Sequence, residues 1–364
     1  MLPNYTFFYQ KSDSSAFSAL KIIRTLQSMS NKKLRKVLVI RYSSIGDIVL
    51  CSPVFRTLKK QLGTEIHWLT KSGFAFINEY NPYIDKTFKY DHNLKEIIPA
   101  LIDEDYDLVI DLHKNIRSWR MKRSLGKPVL TFDKINFEKW ILTNFRRDII
   151  KEPRHLVDRY FAALEKIGIR NDEEGLDYFY DPEVTNPVPV FPYIAYGIGG
   201  TYHTKKMPAK HIIRHFSNLP HPLVLLGGKS EIEAAEEIEK SLGDRCINLV
   251  NRCNLHTTGK ILEEAEWVIS HDTATMHMAA AFRKKILSIW GATAPALGMT
   301  PYLPGSLNHQ SVILEKENLS CHPCSKLGNQ KCPRGHFKCM TTLDQEIVDQ
   351  KIRQINNLKD PDFS

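Results

Sequence analysis

The chain reads as two parallel-sheet α/β domains in tandem, and three observations carry that reading. From residue 36 onward, short β-branched apolar runs alternate with amphipathic helical stretches, the rhythm of βαβ units. The rhythm stops at residues 181–192, where Pro182, Pro187, Pro189 and Pro192 leave no helical period, and then begins again. The 364 residues suffice for two domains of roughly 150 residues each with extensions.

Residues 1–32 stand apart from this rhythm. Within them, residues 16–29 place apolar side chains at helical spacing around Lys21 and Arg24. This suits a short amphipathic helix, packed on the body or lying on a membrane surface. The first domain is expected over 33–185. Its strands are read at 37–41, 65–70, 87–90, 108–112 and 129–132, with a helix at 49–62 and a helical stretch over 137–167. The second domain is expected over 186–343. Its strands are read at 194–196, 223–226, 246–249, 267–270 and 286–290, with helices at 209–217, 230–241, 256–265 and near 276–281. Residues 344–364 hold a closing helix at 344–357, expected to cross back onto the first domain, and a tail.

Composition excludes several classes. Hydrophobic residues make up 42% and charged residues 25%, which is ordinary for a globular enzyme and rules out disorder and collagen. The net charge of +9 suits acidic ligands, or lysines and arginines that solvate helix faces. No run of 18 apolar residues is present to span a bilayer, and no signal-peptide pattern opens the chain. Seven cysteines, an odd number, favour reduced thiols. A cytoplasmic protein is the expectation.

Four segments fall where a strand gives way to a helix, the place where open α/β sheets bind ligands. In Ser43-Ser44-Ile45-Gly46-Asp47, Gly46 permits close backbone approach, and Asp47 either caps the helix or faces a ligand. The absence of G-x-G-x-x-G disfavours a nicotinamide cofactor. The loop 197–208 joins Gly197, Gly199 and Gly200 to Thr201, Thr204, Lys205 and Lys206, with Pro208 at the next helix start. Such a loop can cradle a diphosphate, or be a turn with a solvated lysine pair. Ser230 and Glu231 follow Gly227-Gly228, so Glu231 could accept from a ribose diol or serve the helix cap. Residues 269–277 set Asp272, Thr273, Ala274 and Thr275 in a turn, with His277 one helical turn on. Free amides there suit an anion, while Asp272 suits sugar hydroxyls or the amides of its own loop. Trp290 and the turn after it, 291–295, are expected to wall the same cleft.

Cys321, Cys324, Cys332 and Cys339 form a C-x2-C-x7-C-x6-C cluster. It suits a structural zinc knuckle or reduced structural cysteines, with His322 and His336 confusing the ligand set. A catalytic zinc is not expected, because the cluster sits outside the phosphate-loop constellation.

Together these residues resemble glycosyltransferase family 9, the ADP-heptose:lipopolysaccharide heptosyltransferases. The resemblance spans about residues 36–345 and rests on RYSSIGDIVLCSPVFRTLK, GIGGTYHTKKMP, SHDTATMHMAAAF, SIWGATAP and the late C-x-P-C…C-P…C-M pattern. It implies a GT-B fold, two Rossmann-like domains facing a cleft, and an inverting, metal-independent transfer at the inner face of the cytoplasmic membrane. It implies that Asp47 is the base, that Lys205 binds phosphate, and that Asp272, Thr273, Ala274, Thr275 and His277 surround the sugar and diphosphate. Glu231 would hold the ribose and Cys253 would lie against the adenine, with Gly199, Gly200, Thr201 and Thr204 completing the donor site. Ala274 stands where the family usually has glycine. The implied partners are a nucleotide-diphosphate sugar and an acidic lipid-linked acceptor. Lys114, Arg117 and Arg120, with Arg146 and Arg147, either hold that acceptor's acidic groups or are ordinary surface charge. No cofactor is required beyond the zinc option. Rival readings are a transferase for another nucleotide sugar, a sugar-nucleotide epimerase, a binding protein without turnover, and a nucleic-acid binder. The last is disfavoured by the scarcity of aromatics among the basic runs.

Overall fold

The computed structural model describes residues 34–358. The amphipathic stretch 16–29 lies outside them. The first sheet has five parallel strands in the order β3-β2-β1-β4-β5. They are β1 Lys36–Ile40, β2 Glu65–Lys71, β3 Lys86–Tyr90, β4 Leu108–Asp111 and β5 Val129–Thr131. The second has six parallel strands in the order β11-β10-β9-β6-β7-β8. They are β6 Ile194–Gly197, β7 Leu223–Leu226, β8 Cys246–Asn248, β9 Trp267–His271, β10 Ile286–Trp290 and β11 Ser311–Glu315. Sequence reading found ten of these and missed β11, a sheet-edge strand whose side chains are only alternately buried.

Alternation along the strands sorts the cores. Val37 and Val39 of β1 join one core, and Leu38 and Ile40 join another on the opposite sheet face. The first of these continues into the second domain through Ala195, Val224, Val268 and Met276, so both halves share a hydrophobic centre. A third core covers the far face of the second sheet.

The helices depart from the sequence reading in three places. The stretch 49–62 is two helices, α1 Ile45–Val49 and α2 Ser52–Leu62, separated at Leu50–Cys51, with Pro53 in the first turn of α2. After α3 Ile98–Asp103 and α4 Ile116–Leu125, the stretch 137–167 divides into α5 Asn136–Phe145 and α6 Leu156–Leu164. Arg146 ends α5 in a left-handed conformation (φ 57°), and Pro153 disfavours helix at Glu152. The second domain adds α7 Ala209–Phe216, α8 Ile232–Leu242, α9 Leu255–Glu264, α10 Ala274–Ala281, α11 Lys338–Thr341 and α12 Gln345–Asn356. The closing helix α12 does not return to the first domain. It packs on β10, β11 and α7, with Val348 and Ile355 buried in the third core, because its apolar stripe completes the cover of the second sheet.

The irregular segment that joins the domains is anchored by Arg56 on α2. Its buried guanidinium donates to both carboxylate oxygens of Asp172 at 2.7 Å, to Gly175 O at 2.8 Å and to Asp177. Removing one partner of such a network leaves charge uncompensated away from water. Arg56→Ala is expected to destabilise the chain by about 3 kcal/mol, measured by urea unfolding.

Candidate active site

Both sheets reverse their strand order at an interior strand, and ligands of open α/β sheets lie in the crevice at that reversal. In the first sheet it falls between β1 and β4. In the second it falls between β6 and β9. The loops after β1, β6 and β9 are the ones that hold Asp47, Lys205 and the 272–277 turn. Topology therefore gathers three of the sequence-predicted segments.

The two halves meet where α1 packs on α10. A Cβ added to Gly46 would stand 2.9 Å from His277 Cδ2 and 3.3 Å from Ala274 Cα. Only glycine allows this approach, which brings the start of α1 against the start of α10. Ala274, the departure from the family pattern, meets Gly46 through its backbone.

Asp47 lies in the first turn of α1 with its side chain 27% exposed. Its Oδ2 accepts from Arg41 Nη2 at 2.7 Å and from Ser44 Oγ at 2.9 Å. Oδ1 has no hydrogen-bond partner among the described residues, so its lone pairs are unpaired. Burial pushes the carboxyl up, but the Arg41 charge and the Ser44 hydrogen bonds more than offset it, and the net shift is downward. Sequence reading missed Arg41. It is buried at the end of β1 and also donates to Ser43 O, Leu112 O and Tyr160 Oη. A basic residue closing an otherwise apolar strand run was the available signal.

On the facing side, Lys205 Nζ donates to Asp272 Oδ2 at 2.7 Å and to Asp272 O at 2.9 Å. Thr293 Oγ1 donates to the same carboxylate at 2.7 Å, so the turn at 291–295 does wall the site. His277 is buried. Desolvation lowers its pKa to about 4, and its Nδ1 has no partner among the described residues. The imidazole is thus neutral at pH 7 and retains an unused polar atom. Glu231 is buried as well, accepting from Lys206 Nζ at 2.8 Å, Ser230 Oγ at 2.6 Å and Gly228 N at 3.0 Å. Its carboxylate abuts Gly199, while Gly200 abuts Thr273. Cys253 lies half-buried beside the shared core.

Some candidates point elsewhere. The Thr204 hydroxyl donates to Asn329 O and accepts from Asn329 N, and its own amide also donates to Asn329 O. Thr204 is thus consumed by the cysteine-rich segment rather than offered to a ligand. The Thr275 side chain fills the space beside Gly197. Only its backbone remains to face the cleft. Thr201 is exposed, its carbonyl accepting from Gln330. The acceptor trio is split. Arg117 and Arg120 line a cavity of about 720 Å³ with Lys71, Lys95 and Arg123, and Lys114 is not among its lining residues. Lys114 instead sits 3.9 Å from Asp133, its backbone in the left-handed region (φ 47°). Tyr90 on the cavity wall meets the buried Tyr42, which precedes the Ser43–Asp47 loop, edge-on at 5.1 Å. Arg146 turns away to donate to Cys321 O at 3.1 Å.

Lys139, on α5, was not foreseen. Burial and the Arg159 charge lower its pKa to about 7, while Asp47 and Asp272 both act on it from opposite sides of the cleft. Helical periodicity alone assigned α5 no inward polar position.

The family whose model matches, glycosyltransferase family 9 (heptosyltransferase), covers residues 95–333, about two thirds of the chain. The lipooligosaccharide heptosyltransferase 2 of Campylobacter jejuni is 30% identical over 325 residues, which span 86% of this chain and 95% of that protein. The structure of a family 9 glycosyl transferase from Veillonella parvula aligns with a TM-score of 0.67 at 19% identity, over 88% of this chain and 97% of that one. The E. coli heptosyltransferase WaaC with ADP aligns with a TM-score of 0.62 at 18% identity, over 88% and 99%. These two structures establish the GT-B fold.

Gly46→Val would drive a side chain into His277 and the α10 backbone. It is expected to cost about 1–3 kcal/mol in thermal or urea unfolding. Ala274→Gly, which only enlarges the gap, should leave the two helices in place and cost less.

Proposed function

The chain belongs to glycosyltransferase family 9, and on that premise we propose that it moves a heptose from ADP-heptose to an acidic, lipid-linked core sugar of lipopolysaccharide, with inversion at the anomeric carbon. The observation that supports this best is the Gly46–Ala274 contact. It sets a carboxylate with an open oxygen opposite a lysine, a neutral histidine and a helix start, across one cleft.

In this reading the donor lies on the second domain. Its base rests near Cys253, its ribose near Glu231, and its diphosphate near Lys205 and the amides that open α10. The acceptor enters from the first domain, its acidic groups drawn to Arg117 and Arg120 in the basic cavity. Asp47 Oδ1 takes the proton of the attacking hydroxyl. The new C–O bond forms at the anomeric carbon as its bond to the diphosphate breaks, and that electron pair leaves on ADP. Lys205 then shifts part of its charge from Asp272 to the leaving diphosphate, the largest electrostatic demand of the step. His277, neutral, can donate to the same group without adding charge. Lys139 is placed to balance either substrate. We assign no metal or cofactor to the step.

No helix among the described residues is long and apolar enough to cross a membrane. In this reading a lipid-linked acceptor is met at the surface of the cytoplasmic membrane by a peripheral enzyme.

Asp47→Asn is expected to lower kcat by roughly 10²–10⁴-fold while ADP binding, measured by calorimetry, stays intact; unchanged turnover would remove the base assignment. A thermal-shift panel of ADP-, UDP- and GDP-sugars should favour ADP, and a UDP or GDP preference would remove the heptose donor. The acid limb of kcat/KM should lie below the ordinary carboxylate range, since the base must be ionised and its pKa is depressed. Arg41→Met removes the offset to burial, so that limb should move to higher pH. An unmoved limb would show that another group titrates.

A further inference from the structure

The segment between Glu315 and Lys338 carries no helix or strand. Only Pro323 and Gly328 are buried in 316–337, so the segment has almost no core of its own. Irregular segments of this length in a compact domain are uncommon without a cross-link or a function. Yet this one lies across the donor loops. Cys324 N and Ser325 N donate to Ala292 O at 3.0 and 3.1 Å, and His322 Nε2 lies 2.7 Å from Thr293 O. Asn329 is locked to Thr204, and Gly328 packs on Tyr202, where an added Cβ would stand 2.7 Å from the Tyr202 Cβ and 3.0 Å from its ring. The cysteines, remote in sequence from the phosphate loops, are thus their structural neighbours.

Four thiols fall in or next to this segment. The Cys339 thiol, buried at α11, lies within electrostatic range of Cys321, Cys324 and Cys332. A fifth candidate, His336, is excluded by its tautomer. Its Nδ1 accepts from Lys338 N at 3.0 Å, so Nε2 carries the proton. That N–H faces Cys321 Sγ at 3.7 Å. A protonated nitrogen cannot ligate a metal, but it can donate to a metal-bound thiolate, as outer-shell partners do. Glu65, His67 and Glu104 also bring ligand atoms together. There, however, Lys36 and Lys86 already neutralise Glu104.

We propose that Cys321, Cys324, Cys332 and Cys339 bind one thiophilic divalent ion, zinc by its preference for four tetrahedral sulfurs, and that this ion holds the strap carrying Asn329 against the donor loop. No three of the sulfurs all lie within 4.8 Å of one another. Loading therefore draws the irregular segment inward around Cys339, which the third core anchors, and releases the thiol protons. His336 donates to the Cys321 thiolate and is not a ligand.

The test uses the reduced full-length protein, stripped of metal and titrated with Co²⁺. Tetrahedral d–d absorption with sulfur-to-cobalt charge transfer should saturate at about one ion per chain and disappear when zinc is added. Cys332→Ser and Cys339→Ser should lose it, and His336→Ala should keep the four-sulfur spectrum. Absence of tetrahedral absorption in the wild-type chain overturns the site, as does a disulfide among these four cysteines in the protein isolated without reductant. Loss of the spectrum in His336→Ala overturns the ligand set. Hydrogen exchange at residues 199–205 should slow on zinc loading, and unchanged exchange overturns the link to the donor loop. None of these readouts depends on turnover, so they separate from the fate of the transferase reading.

Discussion

Everything at the site depends on one close approach, the backbone of Gly46 against Ala274 and the His277 ring. Two short helices, α1 and α10, start from strands of different sheets and meet at their N-terminal turns. Their contact fuses the hydrophobic centres of the two domains into one core. It also presents two helix starts, each with unsatisfied amides, to the same cleft. A side chain at position 46 would separate them and disassemble both features together.

Around that contact, each acid of the cleft is paired with a base from the same domain. Asp47 has Arg41, Asp272 has Lys205, and Glu231 has Lys206. Such pairs keep buried charge tolerable while a ligand is away. They also pre-position cations that an incoming diphosphate can share. Asp47 differs from the other two. Arg41 is itself buried and fastened to three further groups, so it is not free to leave. The lysines are held mainly by their acid partners and can move to a ligand.

The cysteine-rich segment gives the donor loop a second support. The glycines of that loop allow close approach to a ligand but supply few side chains to hold the loop in place. Asn329 and Gly328 supply the missing contacts from a segment more than one hundred residues away. How firmly the strap is cross-linked therefore bears on how well the loop is pre-organised.

Much of this was legible before folding. Short apolar runs such as VLVIR and ILSIW specify buried parallel strands by local chemistry, and the glycine-rich and Asp272–His277 turns announce themselves by composition. Ten strands, both domains and the Asp47, Lys205 and Asp272 loops could be read that way, because each depends on neighbours a few residues apart. The remainder depends on partners distant in sequence. Arg41 acquires meaning only when α1 returns Asp47 to it, and Lys139 only when α5 turns one face to the cleft. Thr204 and Thr275 look like ligand contacts by type, yet one is taken by Asn329 and the other by Gly197. The α12 stripe states that a face must be buried, but not against which sheet. Sequence alone determined which segments form the strands, helices and candidate loops. Tertiary structure decided which side chains face the cleft, because burial and hydrogen bonding are settled by whichever group packs closest, and that choice is not local.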